Sequence, residues 1–480
     1  GGIPQLPEVL KKEKIGNERK HIIIVGFGMV ALSFLEKMLE SDKIADQYTL
    51  QIVGEENYLA YNRVGLTEYF VHRNSDKLLL SPKEFFENRD PKKWNYTIDE
   101  KVTSIDQDSK SVTTSKGNTY SYDILVLSTG SNAFIPYSAI TSKLPKSNSI
   151  EKFRESGIFV YRTIEDLNSM LHHAEVLLKE KDFKKEGKMK RAIVIGGGLL
   201  GLEAAQALKE MEEFENITVV QKTDWLLPQQ LDEKGGKLLC ESVKSMGITV
   251  KCNMTIEELF FDENDGDKIT KVRYENGDIE DCQLLCYAIG IRPRDELAET
   301  CSLVRSPRGG FTVDDHLQTN DPSIFAIGEC ASWNNKTFGL IAPGMTMADN
   351  LSFNLTQAKN HSPKLFSDPD VGTRLKLMGV DVASFGDYFA DISEPKWLPK
   401  EKKATNNEGP KTRSLIFEDP IEGKYIKLIL TKDGKYLLGG ILVGDASNYT
   451  KFSALAKSRK PLPLSPSELI INKPGEDGDD

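Results

Sequence analysis

Two glycine-rich turns carry the first legible chemistry. Gly26-Phe27-Gly28-Met29-Val30-Ala31 follows the apolar run Ile22 to Val25 and opens a second apolar stretch, and Gly196-Gly197-Gly198-Leu199-Leu200-Gly201 repeats that order further along. In such a turn the first glycine lets the chain swing from strand into helix, and the second lets backbone approach a pyrophosphate. The third key position needs a small residue for helix–strand packing. The helix start adds N–H groups and the positive end of a dipole, both suited to phosphate. The groups offered to phosphate are therefore Gly26, Gly28, Met29, Val30 and Ala31 in the first turn, and Gly196, Gly198, Leu199, Leu200 and Gly201 in the second. A glycine-rich turn alone is only a tight connection. The order strand, glycines, helix, strand, acid is what points to a nucleotide. The first copy completes that order with Glu55 and Glu56 after YTLQIVG, placed to accept from ribose hydroxyls; the second ends NITVVQK, with Gln221 and Lys222 instead of an acid. A carboxylate there would repel a 2′-phosphate and a lysine would neutralise it, so the second site leans towards NADPH or tolerance of both nicotinamide cofactors. The plain alternative is an exposed lysine at a strand end.

Strand and helix must position both turns. HIIIVGFGMVALSFLEKMLE and RAIVIGGGLLGLEAAQALKE each read strand, turn, helix, and each is followed by a further strand. Duplicate βαβ starts predict an α/β chain with two Rossmann-like dinucleotide-binding folds. KVTSIDQDSKSVTT and YDILVLSTGS read as strands between them, and the polar stretches 138–156 and 179–190 as solvated surface insertions, with a partner-docking patch as the alternative. A helix is expected within 336–370, followed by a proline-containing loop. From Leu375 short strands alternate with turns, including the hairpin signal Asp433-Gly434, and a helix NYTKFSALAKSRK follows. The expected organisation is a flexible lead over 1–19, an FAD-type domain over 20–157 and 310–370, and a nicotinamide-nucleotide domain over 158–309. A C-terminal α+β domain over 371–470 and an acidic disordered tail over 471–480 complete it. YLLGGILVG reads as a core strand or as a packed interface, which leaves a homodimer open.

The 480 residues are 39% hydrophobic and 28% charged, with a net charge of −10. An acidic body argues against a nucleic-acid footprint and against anionic membranes. The longest apolar run, Ile22 to Leu35, is broken by Gly26 and Gly28 and is too short to span a bilayer. The basic residues Lys11 to Lys20 precede a strand and not a cleavable leader, so a cytoplasmic setting is expected. The six cysteines form no CxxC pair, which in such a setting predicts reduced thiols. The pair nearest in sequence, Cys282 and Cys286, would share a strand face about 13 Å apart at roughly 3.3 Å per residue and reads as core. No HExxH, P-loop or GxSxG occurs. His172-His173 sits in a helical stretch where neighbours do not share a face, so no metal is expected.

Three further strings, STGS (Ser128–Ser131), YAIGIRPRDELA (Tyr287–Ala298) and IFAIGEC (Ile324–Cys330), complete an ordered set with the two turns. The chain resembles the FAD-dependent pyridine nucleotide reductases with two dinucleotide-binding domains, a glutathione-reductase-like fold. EENYLAYNRVGLTEYF, FVYRTIEDL, LKLMGVDVASFGD and GGILVGDASNYTKF are similar to the flavoprotein part of assimilatory NAD(P)H nitrite reductases. That resemblance covers roughly residues 20–470. It implies that Glu56 binds the adenosine ribose of FAD, that Asn62 and Arg63 sit by its pyrophosphate, and that Val102 meets the adenine. It places Thr129 and Gly130 at a domain crossing, and Gly328 and Glu329 by the ribityl and pyrophosphate groups. Gly290 belongs to the nicotinamide nucleotide, and Glu203 lies near the nicotinamide. Where many relatives carry a lysine near the flavin, five residues after the arginine of YNR, this chain has Glu68. Two carboxylates facing a flavin would not both stay ionised in a dry site, so either one is protonated or Glu68 points away.

No cysteine follows Cys330, whereas nitrite reductases of this kind continue into a cysteine-rich iron–sulfur and sirohaem region. The expectation is an oxidoreductase that passes hydride from NADPH or NADH to FAD. Its electrons would go on to an iron–sulfur or haem acceptor protein or domain, either as an excised module or as a short paralogue. A flavin-binding scaffold without turnover is the alternative from a different class. The partners expected are small nucleotide cofactors, with neither nucleic acid nor membrane.

Overall fold

A computed structural model describes residues 4–11, 18–41, 47–141, 149–177, 179, 189–357, 362–400 and 409–471. All but the first residue of the expected acidic tail, 471–480, and most of the 179–190 insertion lie outside them. The chain divides into two compact units, 1–133 with 291–370 and 134–290 with 371–480.

The first unit is built on a parallel sheet. From one edge to the other its strands are Ile324–Ala326, Ile124–Leu127, Lys20–Val25, Tyr48–Val53 and Trp94–Thr97. Ile22, Ile24, Ile124, Leu125, Val126 and Leu127 are fully buried, as expected of parallel strands covered on both faces. The helix Met29–Leu39 packs beside the helix Ile341–Thr356, joined by a Lys37–Asp349 ion pair at 3.1 Å. A three-stranded antiparallel ribbon covers Val102–Asp106, Ser111–Thr114 and Thr119–Ser121. Ser131–Ala133 pairs antiparallel with Ile291–Pro293.

The second unit repeats the plan, with parallel strands in the order Thr249–Lys251, Asn216–Val220, Arg191–Ile195, Leu284–Tyr287 and Ile158–Val160. The helix Leu199–Glu210 follows its glycine turn. Residues from 371 onward form a five-stranded antiparallel sheet ordered Thr373–Leu377, Val380–Gly386, Leu437–Val443, Lys424–Thr431 and Thr412–Asp419, covered by the helix Tyr449–Ser458. Asp433-Gly434 makes the expected hairpin turn, Gly434 at φ +74°. Leu437–Val443 is buried at every position, which makes it a core strand.

The boundaries differ from those expected from sequence, for local physical reasons. The expected first domain ran to 157, yet the helix Ile150–Glu155 buries Phe153 and packs on the strand Ile158–Val160, and Arg154 pairs with Asp166 at 2.8 Å. Those contacts place 134–157 in the second unit. Residues 291–309 go the other way, because Leu297, Ala298 and Leu303 join the first unit's core. The C-terminal sheet falls in the same compact unit as residues 134–290. Lys427, 5% exposed, reaches Asp232 at 3.0 Å and Asp391 at 2.5 Å, and Tyr425 donates to Asp232 at 2.7 Å. Asp232 caps the helix Glu233–Ser245 of the dinucleotide fold. The 138–156 stretch, expected as surface loop, contains Tyr137–Thr141 and Ile150–Glu155 as short helices.

Candidate functional site

The first phosphate turn is built by exclusion. Gly26 sits at φ +102°, and a Cβ there would lie 2.0 Å from the Ser128 carbonyl oxygen, so only glycine fits. Gly28 differs: its φ is −100°, and a Cβ would meet nothing within 4 Å among the described residues. The fold does not need a glycine at 28, so the space above it is open to something outside the chain. Among the described residues no side chain caps the helix start at Met29, which leaves its first N–H groups for a ligand. Val30 and Ala31 are buried against the sheet core.

Glu55 and Glu56 stand past the end of Tyr48–Val53, where the sequence places them. Glu56 accepts from Tyr61 Oη at 2.7 Å and pairs closely with Arg63. Arg63 also donates to Tyr61 Oη at 2.8 Å and stacks over that ring at 4.8 Å. Burial works against the Arg63 charge, but the Tyr61 oxygen and the Glu56 carboxylate outweigh it and raise the guanidinium above its usual range, with Glu329 adding to them. Glu55 pairs with Arg294 and, at 3.8 Å, with Lys101. Asn62 spends its side chain capping the short turn Arg63–Gly65, accepting from Val64 N–H at 3.1 Å. Ser131 donates to the Glu329 carboxylate, Thr129 donates to the Arg294 carbonyl at 2.6 Å, and Arg294 N–H donates to Gly130 O at 2.9 Å. Gly328 opens a short turn at φ +80°. Val102 is buried at the start of its ribbon, opposite Thr114. Glu68 lies exposed on the helix Leu66–His72, with no ion pair among the described residues.

The second turn repeats the geometry. A Cβ on Gly196 (φ +115°) would meet the Ala288 carbonyl oxygen at 2.1 Å, and one on Gly201 would meet the Gly196 carbonyl oxygen at 1.7 Å. Among the described residues a Cβ on Gly198 would meet nothing within 4 Å, and no side chain caps the helix Leu199–Glu210. Gln221 is buried and turns inward: its Oε1 accepts from Gly197 N–H at 2.6 Å and its Nε2 donates to Thr223 at 2.7 Å. Lys222 is exposed and unpaired among the described residues. Gly290, at φ +136°, has room for a Cβ, and its carbonyl accepts from Phe134 N–H at 2.9 Å.

Glu203 projects from Leu199–Glu210 into a half-buried setting. Burial pushes its carboxyl up to about 7, and the Arg162 charge pulls back only part of the way. Tyr161 is fully buried, its Oη has no hydrogen-bond partner among the described residues, and burial together with the Glu203 charge raises it. Both Tyr161 and Arg162 follow the strand Ile158–Val160 and are held by a capping box: Thr163 Oγ1 accepts from Asp166 N–H at 3.1 Å, and Asp166 accepts from the N–H groups of Thr163 and Arg162. Sequence reasoning passed over Tyr161, Arg162, Asp166 and Arg294 as individuals, although FVYRTIEDL carries the T-x-x-acid signature of a helix start.

The cysteines part from expectation in one respect. Cys282 and Cys286 are buried in the core as anticipated, but the structure brings together two others, Cys240 and Cys252, with sulfurs 4.0 Å apart. Residues twelve apart on a helix and after a strand gave no periodic signal of that meeting.

Two dinucleotide folds in one chain, each presenting an uncapped helix start behind a glycine turn, define a two-nucleotide α/β oxidoreductase. The chain belongs to the pyridine nucleotide-disulphide oxidoreductase family, whose model matches residues 20–351. It uses the cofactors of that family, FAD and NAD(P)H. It is 42% identical over 464 residues to a nitrite reductase [NAD(P)H] of Emericella nidulans, covering 95% of this chain and 40% of that protein. It is 35% identical to the nitrite reductase (NADH) large subunit of Escherichia coli, covering 94% of this chain and 47% of that one. An NADH-rubredoxin oxidoreductase of Clostridium acetobutylicum is 25% identical, with 94% and 98% covered. The chain thus spans less than half of the two nitrite reductases and nearly all of the third relative. Among solved structures, a putidaredoxin reductase–putidaredoxin complex superposes with a TM-score of 0.71 at 19% identity, covering 94% of this chain and 96% of that one.

Proposed function

We propose that the chain is an electron-input module: it takes hydride from NAD(P)H onto FAD and hands electrons to an iron–sulfur or haem acceptor, as part of a nitrite-reducing system. The observation that carries this reading is the pair of uncapped helix starts whose second glycines leave room for something outside the chain. The relatives named as nitrite reductases, and the one named for rubredoxin, support the direction of electron flow.

In the first unit Gly26, Gly28, Met29, Val30 and Ala31 hold the flavin pyrophosphate by backbone N–H and helix dipole, each such contact contributing about 0.3–1 kcal/mol. Arg63 adds a fixed positive charge beside it. Glu56 keeps lone pairs free for ribose hydroxyls after accepting from Tyr61 and Arg63, since a carboxylate offers about four acceptor positions. Glu329, Gly328, Thr129 and Gly130 line the ribityl stretch, with Val102 at the adenine. In the second unit Gly196, Gly198, Leu199, Leu200 and Gly201 hold the nicotinamide nucleotide's pyrophosphate. Gly290 borders that site, and Lys222 meets a 2′-phosphate, which favours NADPH. Glu203 orients the nicotinamide carboxamide, donating when neutral and accepting when ionised. Bound FAD and NAD(P)H supply the hydride chemistry; the chain supplies position and field.

The test is spectroscopic. Full-length chain loaded with FAD is mixed anaerobically with NADPH or NADH, and the flavin absorbance is followed; then one-electron acceptors (a rubredoxin, a ferredoxin, a sirohaem protein) are added in turn. Rapid bleaching followed by reoxidation on an iron–sulfur or haem acceptor is expected. A folded chain that stays colourless with FAD, or one that holds FAD and never bleaches, overturns the reading, the latter in favour of a scaffold.

A further inference from the structure

We propose that Cys240 and Cys252 form a reversible dithiol–disulfide site that staples the loop carrying Lys222, a coupling to nucleotide affinity that rests on the proposed nicotinamide-nucleotide site. Cys240 lies on the helix Glu233–Ser245 and Cys252 directly after the strand Thr249–Lys251, with the sulfurs 4.0 Å apart. A disulfide needs about 2.05 Å between sulfurs, so each must shift by about 1 Å, within reach of side-chain rotation. Cys240 is buried at 7% exposure and Cys252 is half-buried, so a small reagent reaches the pair from the Cys252 side.

The surroundings favour reaction here over the other cysteines. The contact with the Cys252 sulfur, with Lys244 one helical turn along, draws the Cys240 thiol below its usual value, whereas its partner is pushed up. Burial pushes up Cys282, Cys286, Cys301 and Cys330, and Cys282, Cys286 and Cys330 are fully enclosed. A thiolate is the attacking species in exchange. The balanced step takes a low-molecular-weight disulfide as oxidant. Cys240 thiolate attacks one of its sulfurs, its S–S bond breaks, and one thiolate leaves and takes up a proton. Cys252 then loses its proton and attacks the Cys240 sulfur, expelling the second thiol. Two electrons pass from the protein to the reagent, and two small thiols result.

The consequence is local. Asn253, next to Cys252, donates from its backbone N–H to Thr223 O at 3.0 Å and from its side chain to Asp224 at 2.7 Å. Met254 N–H donates to Gln221 O at 3.1 Å, and Gln221 holds Gly197 of the second phosphate turn. A cross-link at 252 therefore restrains the segment 221–225, where Lys222 sits.

The experiment uses the FAD-loaded full chain equilibrated with glutathione disulfide, quenched by alkylation and mapped by peptide mass spectrometry. Expected is a Cys240–Cys252 linked peptide, two hydrogens lighter and restored by dithiothreitol, while Cys252→Ser traps glutathione on Cys240. No linked peptide, or linkage at other cysteines, overturns the disulfide, whatever the fate of the nucleotide reading. NADPH titration of the reduced and linked forms then reads the coupling: a change in Kd of about fivefold or more is expected, and equal affinities overturn the staple's control of the Lys222 loop.

Discussion

Single residues decide the sharpest outcomes. Gly26 and Gly28 are two positions apart, yet the structure gives them opposite tolerances: a Cβ at 26 strikes backbone at 2.0 Å, and one at 28 meets nothing. Gly28→Ala is predicted to leave the FAD-free protein's thermal midpoint within a degree or two and to weaken FAD retention at least about tenfold, a loss of about 1.4 kcal/mol, read by flavin content after gel filtration. Gly26→Ala is predicted to impair folding itself, read by expression and far-ultraviolet dichroism. In the second fold, Gly198→Ala should raise the KM for the nicotinamide nucleotide with FAD content unchanged. Lys222→Glu should lower kcat/KM for NADPH more than for NADH, and equal losses would exclude a 2′-phosphate contact. Glu203 gives a pH signature. Its carboxyl is raised from 4.5 to about 7, so across that window the folded chain holds a proton that the unfolded chain has released, and stability falls as pH rises. Glu203→Gln removes that dependence and should stabilise the protein at pH 8 by on the order of 2 kcal/mol relative to wild type, with no such gain at pH 4. Denaturant midpoints of both proteins across pH test it.

At the scale of elements, the glycine turns work because strand and helix on either side are packed. The helix Met29–Leu39 is held by the buried face Val30, Ala31, Phe34, Leu35 and Met38, and this aims its free N–H end past Gly28. Tyr161 and Arg162 are positioned by a different device, the Thr163–Asp166 capping box with Arg154 paired to Asp166. The C-terminal sheet is tied to the helix Glu233–Ser245 by Lys427, Asp232, Asp391 and Tyr425. Lys427→Met strands two half-buried carboxylates, and a loss of roughly 3 kcal/mol is expected, read by chemical denaturation. Replacement by arginine, which keeps the charge, should recover part of that loss.

Across the whole molecule, the sequence by itself determined the two dinucleotide folds, the order of their parts and the glycines within them. Those features are local: a strand of Ile and Val, a turn only glycine can make, a helix with a small residue at its third key position, and a hairpin at Asp433-Gly434. Each is written in spacing that neighbours along the chain can enforce. Tertiary structure alone decided the rest. The division at 133/134 and 290/291, in place of 157 and 309, came from where Phe153 and Leu297 found a core. The inward turn of Gln221 onto Gly197, the buried Tyr161 hydroxyl near Glu203, and the meeting of Cys240 with Cys252 each join segments whose separation carries no period. Spacing along a chain specifies what a segment can become. Which distant side chain fills the remaining space is settled only when close packing leaves one arrangement without voids or unpaired charge.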